Sequence, residues 1–221
     1  MLIEHIITPE IIDEGPNDPS IYKAIFLAGG PGSGKSYVVG KTALNSLGFK
    51  VINNDNAFER YLSDAGLEAT PDNIYSKQGQ ELRVHAKEIT NKQMQSYLKG
   101  SLGLVIDGTG KDYAKITRQA DKLKDLGYEV AMIFVNTTLD TSLQRNRDRP
   151  RSIPDEEVDR MWTAVQTNIG KFQSYFKNLM YIIDNDPNGD TEKQTTRLFV
   201  QLGKWAKQVG SRRKKLDTVP S

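Results

Sequence analysis

Two kinds of hydrophobic spacing alternate along the chain. Predominantly apolar runs of strand length occur at Tyr22–Ala28, Phe49–Ile52, Leu102–Ile106, Val130–Val135 and Leu179–Ile183. Runs of this length, rich in branched and aromatic residues, predict strands buried on both faces. Between them apolar residues recur three and four apart, which predicts helices over Ser36–Leu47, 81–99, 112–126, 155–177 and 191–209. Gly48 and Gly127 stand where two of these helices would end, as glycine does at helix C-termini. Strands alternating with helices imply an α/β fold, a five-stranded parallel sheet with helices on both faces.

The ends of the chain read differently. Asp13–Ser20 is dense in proline, glycine and turn-forming side chains, so residues 1–21 are expected to be a leader before a single domain at 22–209. The stretch 204–215 holds Lys204, Lys207, Arg212, Arg213, Lys214 and Lys215 with no acid. Residues 210–221 are therefore expected to form a basic, flexible tail.

Composition excludes several chemistries. The 221 residues include no cysteine and only two histidines, which removes disulfides, thiolate metal sites and cysteine nucleophiles, and argues against a histidine-centred triad. Hydrophobic residues at 37% and charged residues at 26% are ordinary for a folded domain. Met1–Thr8 contains Glu4 and no basic segment, and runs such as Ala131–Val135 are too short to span a bilayer. A soluble cytoplasmic protein with no membrane partner is expected. The net charge of +2 says nothing general about nucleic acid.

The most specific signal is Gly29-Gly30-Pro31-Gly32-Ser33-Gly34-Lys35-Ser36, a full match to the phosphate-loop pattern between a predicted strand and a predicted helix. Its glycines let backbone N–H groups turn inward onto phosphate oxygens, and the following helix adds the positive end of its dipole. Gly30, Pro31, Gly32, Ser33, Gly34, Lys35, Ser36 and the adjoining Tyr37 are the candidate ATP-binding residues. Lys35 would reach the β- and γ-phosphates, and the Ser36 hydroxyl would ligate Mg2+.

Two carboxylates follow at the carboxyl ends of strands, where catalytic groups collect in parallel α/β sheets. Asp55 closes Val51-Ile52-Asn53-Asn54-Asp55, and Asp107 follows Leu104-Val105-Ile106. An aspartate after a strand is often only a helix cap. A pair of them after a phosphate loop points instead to a general base and a metal-holding carboxylate.

The phosphate loop, Asn53-Asn54-Asp55 and Ile106-Asp107-Gly108-Thr109-Gly110 together resemble P-loop kinases of the group that includes zeta toxins and phage-type polynucleotide 5′-kinases. The resemblance covers about residues 22–185. It implies a kinase-type P-loop fold with an arginine-bearing lid, with Asp55 as the base for the acceptor hydroxyl and Asp107 holding the metal through water. Zeta toxins more typically carry glutamate at the place of Asp107, and polynucleotide kinases carry arginine at the place of Phe58. The run Arg145, Arg147, Arg149 and Arg151 is similar to the polynucleotide-kinase lid. There Arg149, and after it Arg145, would neutralise charge on the transferred group. Arg147 and Arg151 read better as a solvated face pairing with Asp155, Glu156 and Glu157.

The expected activity is an ATP- and Mg2+-dependent transfer of the γ-phosphoryl group to a hydroxyl of a nucleic acid or nucleotide, as in a polynucleotide 5′-hydroxyl kinase. A nucleotide-sugar and a hydroxymethylated base in DNA are alternative acceptors. A P-loop ATPase without kinase activity is the rival from another class. Such motors generally polarise water with Glu or Gln after the third strand, whereas Gly108 and Thr109 follow Asp107 here. The segment 184–190 imitates half a calcium loop, but Thr195 stands where a bidentate Glu is required. It reads as a strand-to-helix turn near the nucleotide base. His85 has no ligand partners in its pattern and reads as structural or exposed. Oligomeric state has no sequence signature.

Overall fold

The computed structural model describes residues 19–149 and 152–208. Nearly all of the leader, Arg151 and the whole basic tail lie outside the described residues. The five apolar runs form the five strands: β1 (Lys23–Ala28), β2 (Lys50–Ile52), β3 (Leu104–Asp107), β4 (Glu129–Asn136) and β5 (Met180–Asp184). All pairings are parallel, in the order β2-β3-β1-β4-β5. β1 is therefore central, and its neighbours β3 and β4 lie on opposite sides of it. Ligands in open α/β sheets bind at such a reversal of strand order, beyond the carboxyl ends.

Alternate residues of each strand feed two separate cores. On one face Ile25, Leu27, Ile133 and Val135 pack with Val38 of α1 (Lys35–Lys41) and with Leu198, Leu202 and Trp205 of α8 (Thr191–Ala206). On the other, Ala24, Phe26, Met132 and Phe134 pack with Leu123 of α5 (Tyr113–Asp125) and with Val165, Phe172 and Phe176 of α7 (Asp155–Phe176). A third, smaller cluster joins α2 (Asn54–Asp64), α3 (Pro71–Tyr75) and α4 (Lys77–Lys99) through Phe58, Leu62, Ile74 and Ala86. α6 (Leu139–Arg147) leads into the segment that contains the arginine run.

Three local differences from the sequence pattern have clear causes. The helix expected over Ser36–Leu47 stops at Lys41. Thr42 turns its hydroxyl back onto the Val38 and Val39 carbonyls, and Ala43 enters the left-handed region at φ 44°. A short 3-10 turn over Leu44–Leu47 then ends at Gly48, whose φ of 88° favours glycine. α2 begins inside the polar run Asn53–Asn56 because the Asn53 side chain accepts from the Asp55 and Asn56 amides and so caps the helix. α6 starts in the same way at Thr138, which accepts from the Thr141 amide.

Lys23 is the one wholly buried lysine among the described residues. Its ammonium pairs with Glu129, and it lies 5.0 Å from the Trp205 ring centre. The Trp205 indole N–H donates to the same Glu129 carboxylate at 3.2 Å. Removing the carboxylate strands a wholly buried ammonium, whereas removing the ammonium leaves a carboxylate that is 30% exposed and still accepts from the Trp205 indole. Glu129→Ala is expected to cost about 2–4 kcal/mol and Lys23→Met to change stability by no more than about 1 kcal/mol, both measured by denaturant unfolding. Equal losses in the two variants would contradict this account.

Candidate active site

The turn after β1 folds back on itself at three glycines that a side chain would not fit. Gly29, Gly32 and Gly34 have φ of 155°, 70° and 82°. A Cβ at Gly29 would lie 2.6 Å from the Val135 carbonyl oxygen, and one at Gly32 would lie 2.6 Å from that of Ser142. The loop is thus pressed between the ends of β1 and β4 and the start of α6. Its first amide donates to the Thr109 carbonyl (3.1 Å), and Gly108 N–H donates to Leu27 O (3.0 Å), which ties the phosphate loop to the turn after β3. That turn is braced from behind by the buried Asn168, whose amide donates to Gly110 O (3.1 Å) and Lys111 O (3.0 Å).

Lys35 opens α1 and folds back over the loop, donating to Gly29 O at 2.8 Å and Gly30 O at 3.4 Å. Burial pushes its ammonium below the ordinary lysine value. Asp107 opposes that shift, Arg149 adds to it, and Asp55 opposes it more weakly. Asp107 is displaced the other way. Burial raises its carboxyl, the Lys35 charge lowers it, Asp55 raises it again, and the Gly108 amide and Asn53 side chain lower it. Asn53 donates to Asp107 Oδ2 at 2.6 Å, so the residue that caps α2 also orients the carboxylate of β3. Asp107 Oδ1 is buried and has no partner.

Asp107, Arg149 and Asp55 each bear electrostatically on Lys35, although the four come from separate segments. Asp55 is exposed on the first turn of α2. Ser36 and Tyr37 are exposed on the first turn of α1, and the buried Ser33 hydroxyl has no hydrogen-bond partner. Gly30 is buried and Pro31 half-buried at the loop's apex. Arg149 is exposed, whereas Arg145 is half-buried and donates to Asn185 O (2.8 Å) and Gly32 O (3.4 Å). Arg147 faces away and pairs with Asp155, the solvated role expected of it.

A cleft of about 750 Å3 opens beside the loop, lined by Gly32, Gly34, Tyr37, Arg145, Arg149 and the turn after β5. That turn, the imitation calcium loop, is used up by its own structure. Asp184 accepts from the Asp186 amide, Asp186 accepts from Thr138, and Asp190 caps α8. Burial would raise the Asp186 carboxyl, but donors from Thr141 and Thr138 and the nearby Arg145 bring it below the usual carboxylate value. His85 is exposed and packs edge-on against Tyr61.

Several residues of the site carry no motif. Trp162 of α7 donates to Thr137 O (2.9 Å) and lies against Gly30, and Gln166 donates to Asn136 at the end of β4 (2.7 Å). Asn146, buried in α6, exchanges two hydrogen bonds with the Ile153 backbone and so closes the base of the arginine segment. The helical spacing of Trp162 and Gln166 was visible in the sequence, but not the partners that distinguish them from core residues, and the helix that carries Asn146 gave no such spacing.

The zeta toxin family model matches residues 12–196. The chain belongs to the zeta toxin family. Among solved structures it is similar to one from the PezAT chromosomal toxin-antitoxin system of the human pathogen Streptococcus pneumoniae, at 17% identity over 86% of this chain and 90% of that one, with a TM-score of 0.59. It is also similar to AvrRxo1-ORF1:-ORF2 with ATP (15% identity, 86% and 68% coverage, TM-score 0.59). A third likeness is to the Pnkp1/Rnl/Hen1 RNA repair complex (17% identity, 68% and 46% coverage, TM-score 0.53). At these identities the likeness is one of fold, the kinase-type P-loop fold expected from the sequence. No curated protein matches the sequence. Among the described residues no helix is long and apolar enough to cross a membrane.

Hard oxygen donors suit magnesium, and the unpartnered, buried Oδ1 of Asp107 beside the phosphate loop fits such an ion. No cluster of three or more metal-ligating side chains occurs among the described residues. The raised Asp107 carboxyl also has a consequence for stability. Between the ordinary carboxylate value of 3.8 and its raised native value, the folded protein holds a proton that the unfolded chain has lost. Stability therefore falls as pH rises through this interval, and the cost persists above it. Asp107→Asn is expected to remove that limb from a plot of thermal midpoint against pH, and to raise the midpoint at neutral pH. A lower midpoint at neutral pH would show that the carboxylate stabilises the fold.

Proposed function

We propose that this protein is an ATP- and magnesium-dependent kinase that transfers the γ-phosphoryl group to a hydroxyl of a nucleic acid or nucleotide. The observation that carries the reading is the glycine loop after β1 with Lys35 folded back over it, beside Asp107 at the same edge of the sheet. Membership of the zeta toxin family supports phosphotransfer as the class of chemistry.

The roles follow from position. Lys35, already turned over the loop, exchanges its carbonyl partners for the β- and γ-phosphate oxygens of ATP. Loop amides and the start of α1 hold the same oxygens. Ser36 and, through water, Asp107 are the residues that would hold magnesium. Bound magnesium supplies charge neutralisation on the β- and γ-phosphates. Asp55, exposed on the first turn of α2, accepts the proton of the attacking hydroxyl. Arg149, which lines the cleft, adds positive charge as negative charge builds up on the transferred group.

The arginine segment and the basic tail favour a 5′-hydroxyl or modified-base hydroxyl in DNA as acceptor. A nucleotide-sugar is the second reading, favoured by the family match and by Asp107-Gly108-Thr109-Gly110. Lys35→Ala is expected to abolish ATP binding. Asp55→Ala is expected to bind ATP as the parent does and to lose about 10²–10⁴ in turnover. Calorimetric titration with ATP and product formation with the acceptor check the two arms. Parental turnover in Asp55→Ala would remove that residue from the chemistry.

A further inference from the structure

Asn185, the residue after β5, is buried and makes three hydrogen bonds to three separate segments. Its backbone N–H donates to Asn136 O at the end of β4 (2.9 Å). Its side-chain amide donates to Ser33 O in the phosphate loop (2.7 Å). Its own carbonyl accepts from Arg145 Nη2 (2.8 Å), and the other end of that guanidinium reaches Gly32 O. The fit is close, because a Cβ on Gly34 would come within 2.2 Å of the Asn185 amide nitrogen.

Peptide planarity turns this contact into a statement about the ligand. In a trans peptide the carbonyl of one residue and the N–H of the next point in opposite directions. Drawing Ser33 O outward onto Asn185 therefore aims Gly34 N–H at the opposite side, into the hollow of the loop. Arg145 does the same for the preceding peptide by holding Gly32 O, and Ser33 N–H accordingly turns inward to Gly30 O at 3.3 Å. An asparagine suits the position because it offers an uncharged donor. A carboxylate there would face the Ser33 carbonyl oxygen and stand beside the nucleotide phosphates.

We propose that Asn185 is a positioning residue for the nucleotide. It sets the direction of the Ser33–Gly34 peptide toward the phosphates and locks the turn after β5, which lines the cleft, to the phosphate loop through the shared Arg145. The proposal rests on the reading of 29–36 as a nucleotide-phosphate cradle and deepens it. Arg145 is then a clasp with two main-chain carbonyls already engaged, and Arg149 is the arginine left available for the reaction.

The test is calorimetric titration of the full chain with magnesium-ATP in the parent, Asn185→Leu and Asn185→Asp. Thermal unfolding without nucleotide is followed alongside. The first variant removes the donor at similar volume, and the second keeps the shape while exchanging a donor for an acceptor. ATP affinity is expected to fall roughly tenfold or more in both, and in Asn185→Asp by more than its lowered unliganded midpoint accounts for. If Asn185→Leu does not fold, Asn185→Asp carries the test. Parental ATP affinity in a folded Asn185→Asp overturns the proposal, as does an affinity loss that only tracks a collapse of the unliganded midpoint. A parent protein that binds no ATP would instead sink the reading of the loop itself.

Discussion

Everything at the site depends on holding one ammonium group, Lys35, out of water between a glycine loop and a carboxylate. Burial drives both Lys35 and Asp107 toward their neutral forms, and each partly restores the charge of the other. Neither offset is complete, so the free protein holds an electrostatic cost at the carboxyl edge of its two central strands. Asp107 Oδ1 is left without a partner, and Lys35 rests on carbonyl oxygens that are weaker partners than phosphates. A polyanion arriving with a divalent cation would relieve both. The sheet order makes this arrangement feasible, because β1 and β3 are neighbours and deliver Lys35 and Asp107 to one edge.

Around that pair the remaining parts are coupled rather than merely adjacent. Asn53 caps α2, which carries Asp55, and also fixes the Asp107 carboxylate, so the candidate base and the candidate metal-holding group share one support. Thr109 and Asn168 connect the loop after β3 to the phosphate loop and to α7. Asn185 and Arg145 connect β5 and α6 to the same loop. Amide side chains, Asn168 and Asn185 buried and Asn53 half-buried, thus brace the glycine turn, and Asp55 and Arg149 are left exposed.

What could be read from the chain and what could not divide along a physical line. Strands read as apolar runs, so all five were legible to within one or two residues, although the edge strand β5 buries only Ile183 where burial on both faces was expected. The phosphate loop was legible because its geometry needs glycine at fixed positions. α2 and α6 were not, since each starts in a polar stretch where a side-chain cap, Asn53 or Thr138, outweighs weak apolar periodicity. Lys23, Asn168 and Asn185 are buried polar residues whose partners lie far along the chain; Asn185 meets Ser33 across 152 positions. Local spacing cannot signal such a contact. The different standing of Arg145, held by two carbonyls, and Arg149, exposed, was hidden for the same reason.

The most direct test of the central claim is the fate of the γ-phosphoryl group. The protein is incubated with γ-labelled ATP and magnesium, alone and with a 5′-hydroxyl DNA oligonucleotide, a DNA bearing hydroxymethylated bases, or a nucleotide-sugar. The account predicts label on a hydroxyl of one of these acceptors, and none when Asp55 is replaced by alanine. Label released only as inorganic phosphate, at a rate that no acceptor changes, would mean that the site activates water and that the protein is an ATPase.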